Sequence, residues 1–148
     1  MRIRVLAAVL VTVWSGAMLV AQNQKVSTPE ELDKVMKRVG TANQAMTKVL
    51  KSGAYADVRT GLTQMKQAVA DSESFWVLHK KEDAIKAAKD VQAKIDDAIK
   101  AATGDAPDAT AVQTATRDIG AACRTCHMVY RAQDAEKNYM LKPGTIGG

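Results

Sequence analysis

The chain has 148 residues and a formal net charge of +5, and 25% of its residues are charged with both signs interleaved, so it lacks the clustered basic surface of a nucleic-acid binder. Ala, Lys, Asp, Val and Gln dominate, aromatics are few and β-branched clusters are rare, which favours helix over sheet. The length suits a single domain.

In chain order, the first element is a secretory signal. Arg2 and Arg4 precede an apolar run from Val5 to Trp14 that continues past Ser15 and Gly16 to Val20. Cleavage after Ala17 or after Ala21 both fit the small-residue rule, and Ala21 is the preferred site, which makes residues 1–21 the signal peptide. The run is short and interrupted for an uncleaved anchor, and no cysteine stands near its end for lipid attachment. Removal takes away Arg2 and Arg4 and lowers the net charge from +5 to +3.

Breakers divide the remainder into four helical segments. Ser27-Thr28-Pro29-Glu30-Glu31 reads as a capped start, followed by Leu32, Val35, Met36, Val39, Met46, Val49 and Leu50 at helical spacing, with Ser52-Gly53 as the stop. A second segment runs from Tyr55 to Ala70 on Val58, Leu62, Met65 and Val69, and Asp71-Ser72-Glu73-Ser74 reads as a turn and cap before Phe75 and Trp76. The third reaches Ala102 with Ile85, Ala88, Val91, Ile95 and Ile99 inward. After a loop over 103–108, the fourth runs from Ala109 to Glu136 on Val112, Ala115, Ile119, Ala122, Cys126 and Val129 or Tyr130. The expected fold is all-α, an antiparallel four-helix bundle. Residues 22–136 form its domain, and residues 137–148 form a tail that wraps the surface or stays disordered.

Within the fourth segment stands Cys123-Arg124-Thr125-Cys126-His127. Two cysteines two residues apart, followed at once by histidine, form the attachment signature of a c-type haem. Each thiol adds across one vinyl group to give a thioether, and His127 supplies an axial nitrogen to the iron. The expected cofactor is therefore one covalent haem c with its iron. A redox dithiol would sit at a helix start after a strand, and none is read here. A zinc site wants four ligands, and the chain has only two Cys and two His in total. Covalent attachment of haem takes place outside the cytoplasmic membrane, so motif and signal agree on a periplasmic location. With both cysteines consumed, no disulfide remains.

The segment Ile119 to Arg131 resembles the haem helix of the class II cytochromes c, the cytochromes c′ and their low-spin relatives, in which Gly, Cys-x-x-Cys-His, an aromatic and Arg follow in that order. Gly120, Tyr130 and Arg131 occupy those positions. The resemblance implies that Arg131, one turn past His127, lies beside the proximal face as a haem-binding residue. Val35-Met36-Lys37-Arg38-Val39-Gly40 resembles the first-helix segment that approaches the distal face, which implies Met36 as sixth ligand. Phe75-Trp76 matches an aromatic position ahead of the third helix. The run before Met36 is about one turn shorter than usual, Leu32 stands where relatives often carry Arg, and the tail extends beyond the usual end. Related proteins pair through their first two helices, so a homodimer is implied, with Gly40, Thr41, Ala42, Ala45 and Gly61 suited to close approach or to packing inside one bundle.

The other candidates for the sixth position are weaker. Met36 also sits where a methionine is commonly core. Met46 is ten residues further, about 15 Å along a helix. Met65 lacks motif support, Met128 adjoins His127, and His79 lies among Lys80, Lys81 and Glu82, which reads as a solvated face. Two functions follow. A six-coordinate iron, held by His127 and Met36, implies a carrier of single electrons between redox partner proteins. A five-coordinate iron implies a cytochrome c′-like protein that binds NO or CO. A haem enzyme would want a distal acid–base group, and the Met36 stripe offers none, so the chain reads as a carrier and not an enzyme.

Overall fold

The computed structural model describes residues 24–104 and 107–146; the expected signal peptide at 1–21 lies outside them. Four helices make up most of the chain: α1 (Pro29–Leu50), α2 (Tyr55–Leu78), α3 (Glu82–Ala101) and α4 (Ala109–Tyr130). Two short strands follow, β1 (Arg131–Gln133) and β2 (Tyr139–Leu141). The molecule is a helical bundle with a small hairpin at its end. Among the described residues no helix is long and apolar enough to cross a membrane.

The start of α1 follows from its sequence. Thr28 accepts from the Glu31 amide, the Glu31 carboxylate takes the Thr28 amide in return, and Pro29 occupies the first turn. Asp108 caps α4 by accepting from the amides of Thr110 and Ala111 at 2.8 and 3.1 Å.

The break between the second and third helices lies elsewhere than expected. Residues 71–74 are not a turn, and α2 runs through them to Leu78. The side chains of Asp71, Glu73 and Ser74 reach across the fold instead of ending the helix. Asp71 accepts from the Gln24 amide at 3.0 Å and from Arg38 at 2.8 Å, and the Ser74 hydroxyl accepts from the Val26 amide at 2.7 Å. Ser72 closes onto the Val69 carbonyl. These bonds strap residues 24–26 along α2. Phe75 and Trp76 therefore belong to the last turn of α2, not to the approach to α3. The helix ends where Lys80 turns left-handed at φ 54° and the Lys81 amide reaches back to the Trp76 carbonyl, an αL stop made without glycine.

The last helix also ends earlier than expected, at Tyr130 and not Glu136. Arg131, Ala132 and Gln133 pair antiparallel with Leu141, Met140 and Tyr139. Asp134 closes the hairpin by accepting from the Asn138 amide at 2.7 Å. Lys142 then satisfies the end of α4, its amide on the Tyr130 carbonyl and its ammonium on the Met128 carbonyl at 2.6 Å. The expected tail boundary at 136 and 137 thus falls inside a hairpin whose Leu141, with the following Ile146, packs on the core.

The core has two parts. One joins Met46, Val58, Leu62, Met65, Val91, Ile95, Val112 and Ile119. The other gathers Val26, Leu32, Val35, Phe75, Trp76 and Ala84, with Met36, Tyr130, Leu141 and Ile146 at its border. Burying side chains of this size contributes roughly 1.5–3 kcal/mol each before entropy is counted. α1 lies on α2, α2 on α3 and α3 on α4, while α1 and α4 make at most marginal contact.

Candidate functional site

The site is built on the last three turns of α4. Cys123, Cys126 and His127 stand at i, i+3 and i+4, so the 3.6-residue period brings them to one side of the helix. All three are half-buried, and Cys123 borders the first core cluster. Tyr130 continues the same stripe and donates to Asp83 at the start of α3 at 2.5 Å. Its ring lies 4.9 Å from that of Trp76, which meets Phe75 edge-on at 5.0 Å.

Burial decides the protonation of these groups. It pushes the Cys123 thiol up, and it pushes Cys126 up to about 11, with further contributions from the negative charge of Asp83 and from Cys123. Both thiols are therefore protonated at neutral pH. A redox dithiol needs the opposite, a thiolate favoured by a helix N-terminus or a cation, whereas these cysteines sit near the negative end of α4. His127 is lowered from the ordinary histidine value, first by burial and then by the charge of Arg131. At pH 7 it is a neutral imidazole with a lone pair free to bind a metal. Among the described residues no three His, Cys, Asp or Glu side chains converge as a metal-binding group.

The donor set fits covalent haem. Two thiols and an imidazole share one helix face, and Tyr130 continues the same stripe. Cys123 and Cys126 are the residues that would hold the macrocycle, and His127 is the one that would hold its iron.

The remaining expected residues fall as follows. Met36 is half-buried on α1 and borders the same core cluster as Tyr130. Arg131 lies beyond the helix, in β1, with its guanidinium 4.1 Å above the Tyr139 ring; its charge still reaches His127. His79 is not on a solvated face. Its ring lies 4.5 Å from Phe75, and its Nε2 is buried with no hydrogen-bond partner. Asp83 was not legible as a site residue, because its only sequence signal is that of an ordinary acid in a first helical turn.

Of the small residues suited to helix pairing, Ala42 and Gly61 are used within the chain, where a Cβ at Gly61 would stand 3.6 Å from the Met46 Cβ and 3.8 Å from the Ala42 carbonyl. No known protein family, no curated protein and no solved structure matches this chain.

Proposed function

We propose that the chain is an exported c-type cytochrome, an antiparallel four-helix bundle that holds one haem on its last helix and carries single electrons between periplasmic redox proteins. The observation that carries this reading is the placement of Cys123, Cys126 and His127, half-buried, on one face of α4. The order of contacts supports the bundle: Arg38 bonds to Asp71 and Met46 lies against Gly61, and Lys66 pairs with Asp96 while Glu73 meets Gln92. Each pair runs down one helix as it runs up the next.

When bound, haem supplies a ferric–ferrous couple. The chain's residues do the rest. Cys123 and Cys126 would tether the group as thioethers, each thiol adding across one vinyl, so that it would be lost only by breaking covalent bonds. His127 presents a neutral nitrogen. Tyr130, one turn further along the same stripe, is held by Asp83 and lies against Trp76, which meets Phe75. Met36 would hold the iron together with His127, and a thioether ligand there would raise the reduction potential and suit electron transfer. His79, with its buried unpartnered Nε2, is the second candidate for that position.

The test is the exported protein with its haem. Wild type should keep its haem through acid–acetone extraction, and Cys123→Ala/Cys126→Ala should carry none covalently. Met36→Ala should lose the low-spin spectrum and bind CO. A wild-type chain free of covalent haem contradicts the reading. An unchanged spectrum in Met36→Ala together with an altered one in His79→Ala moves the ligand to His79.

A further inference from the structure

Exposed apolar side chains are ordinarily scattered singly over a soluble domain; here they are gathered. The six large ones that the described residues expose, at 47–63% each, are Val77, Leu78, Met128, Val129, Tyr139 and Met140. Their segments meet at one end of the bundle. The Trp76 ring lies 4.9 Å from that of Tyr130, and the Tyr130 hydroxyl donates to Asp83, which joins the last turn of α2, the first of α3 and the last of α4. Lys142 ties the hairpin to the same place through the carbonyls of Tyr130 and Met128.

Positive charge accompanies them. Lys80, Arg124, Arg131, Lys137 and Lys142 are exposed in these segments, and among the described residues none of the five forms an ion pair with a carboxylate. The Arg131 guanidinium lies over the Tyr139 ring, and the Lys142 ammonium reaches the Met128 carbonyl, so two of these cations sit beside exposed apolar residues. The exposed acids here are Glu82, Asp83 and Glu136, and Asp83 already accepts from Tyr130. This end therefore calls for an occupant that is anionic at its surface and apolar beneath.

The chain also enters the bundle here. The amides of Gln24 and Val26 are bonded to Asp71 and Ser74, and Val26 is buried in one cluster with Phe75 and Trp76, bordered by Tyr130 and Leu141. The apolar run of the sequence ends at Val20, four residues before Gln24, a reach of at most about 14 Å. While that run is attached and held in a bilayer, this end of the domain stands at the membrane surface.

We propose that this end of the bundle is a docking surface for an anionic lipid bilayer, its six apolar side chains entering the interface while the five cations meet lipid phosphates. Surface binding of this kind grows with the apolar area buried and with attraction between Lys or Arg and acidic headgroups. The proposal uses neither the cysteines nor His127 and stands apart from the haem reading. It would keep the processed protein at the membrane after the apolar run is removed.

The test is co-sedimentation of the processed exported protein with phosphatidylglycerol and with phosphatidylcholine vesicles, at low and high salt. Val77→Ser/Leu78→Ser and Tyr139→Ser/Met140→Ser remove apolar groups. Lys80→Asn/Lys137→Asn removes charge at two positions of positive φ, where asparagine is tolerated, so the fold is kept if a serine variant proves unstable. Lys48→Asn/Lys51→Asn, exposed at the opposite end of α1, is the control, and far-UV helicity confirms that each variant is folded. The expected result is binding to phosphatidylglycerol that salt weakens, little binding to phosphatidylcholine, loss of most binding in each serine variant, and about fivefold weaker binding per charge removed at 80 and 137. The control should bind as wild type does. Equal binding by the serine variants, or an equal loss in the control, would overturn the proposal. No binding to either vesicle would overturn it in favour of a protein partner, and pelleting without vesicles that the serine variants abolish would overturn it in favour of a second copy of the chain.

Discussion

Tyr130 and Asp83 hold each other in protonation states that depend on pH in opposite directions. The phenol donates to the carboxylate, which lowers Asp83 from its ordinary value of 3.8. Burial first, and then the hydrogen bond, raise Tyr130 to about 12. The carboxylate's share of the stabilisation is present above its unfolded value and is lost as pH falls through the lowered one. The phenol's share is present below its unfolded value of 10.0 and is lost as pH rises through about 12. Tyr130→Phe should therefore lower Tm at neutral pH by the equivalent of at most about 1 kcal/mol, because the pair is largely exposed. The gap between variant and wild type should narrow in acid as Asp83 protonates and again in strong base. A gap independent of pH in thermal melts would contradict the pairing. That Cys123, Cys126 and His127 share one helix face was legible because their spacing is local. His79 was not, because three charged neighbours suggest solvent, while the left-handed Lys80 ends the helix and leaves the His79 ring against Phe75.

Elements were legible where their stops are local and misread where side chains act at a distance. Thr28, Pro29 and Glu31 mark the start of α1 by contacts within four residues. Asp71-Ser72-Glu73-Ser74 has the composition of a turn, but Asp71 and Ser74 bind a segment about 47 residues away in sequence. The hairpin escaped for another reason, since three-residue strands carry too little alternation to interrupt a helical pattern that runs through Val129 and Tyr130. The strap makes a prediction. The Asp71 carboxylate is buried, at 3% exposure, whereas its partner Arg38 keeps 45%. Arg38→Met leaves a buried charge held by the Gln24 amide and Gln67 and should cost about 2 kcal/mol. Asp71→Asn should cost less, because the freed guanidinium returns to water. Urea unfolding of the two variants checks the order, and a larger loss in Asp71→Asn would contradict it.

For the whole molecule, four helices follow from composition and breakers, and their sequential packing from short connections. The near absence of contact between α1 and α4 was not legible, because it depends on which sides of those helices α2 and α3 occupy. On the proposed reading a haem would complete the bundle, and the chain would be an electron carrier because His127 and Met36 would both hold the iron. The measurement that tests this most directly is the absorption spectrum of the purified exported protein, ferric and ferrous, before and after CO. The account predicts a sharp low-spin ferrous α-band, a weak long-wavelength ferric band of a methionine–iron bond, and no response to CO. A broad high-spin ferrous spectrum that sharpens with CO would contradict it, making the distal face open and Met36 a packing residue.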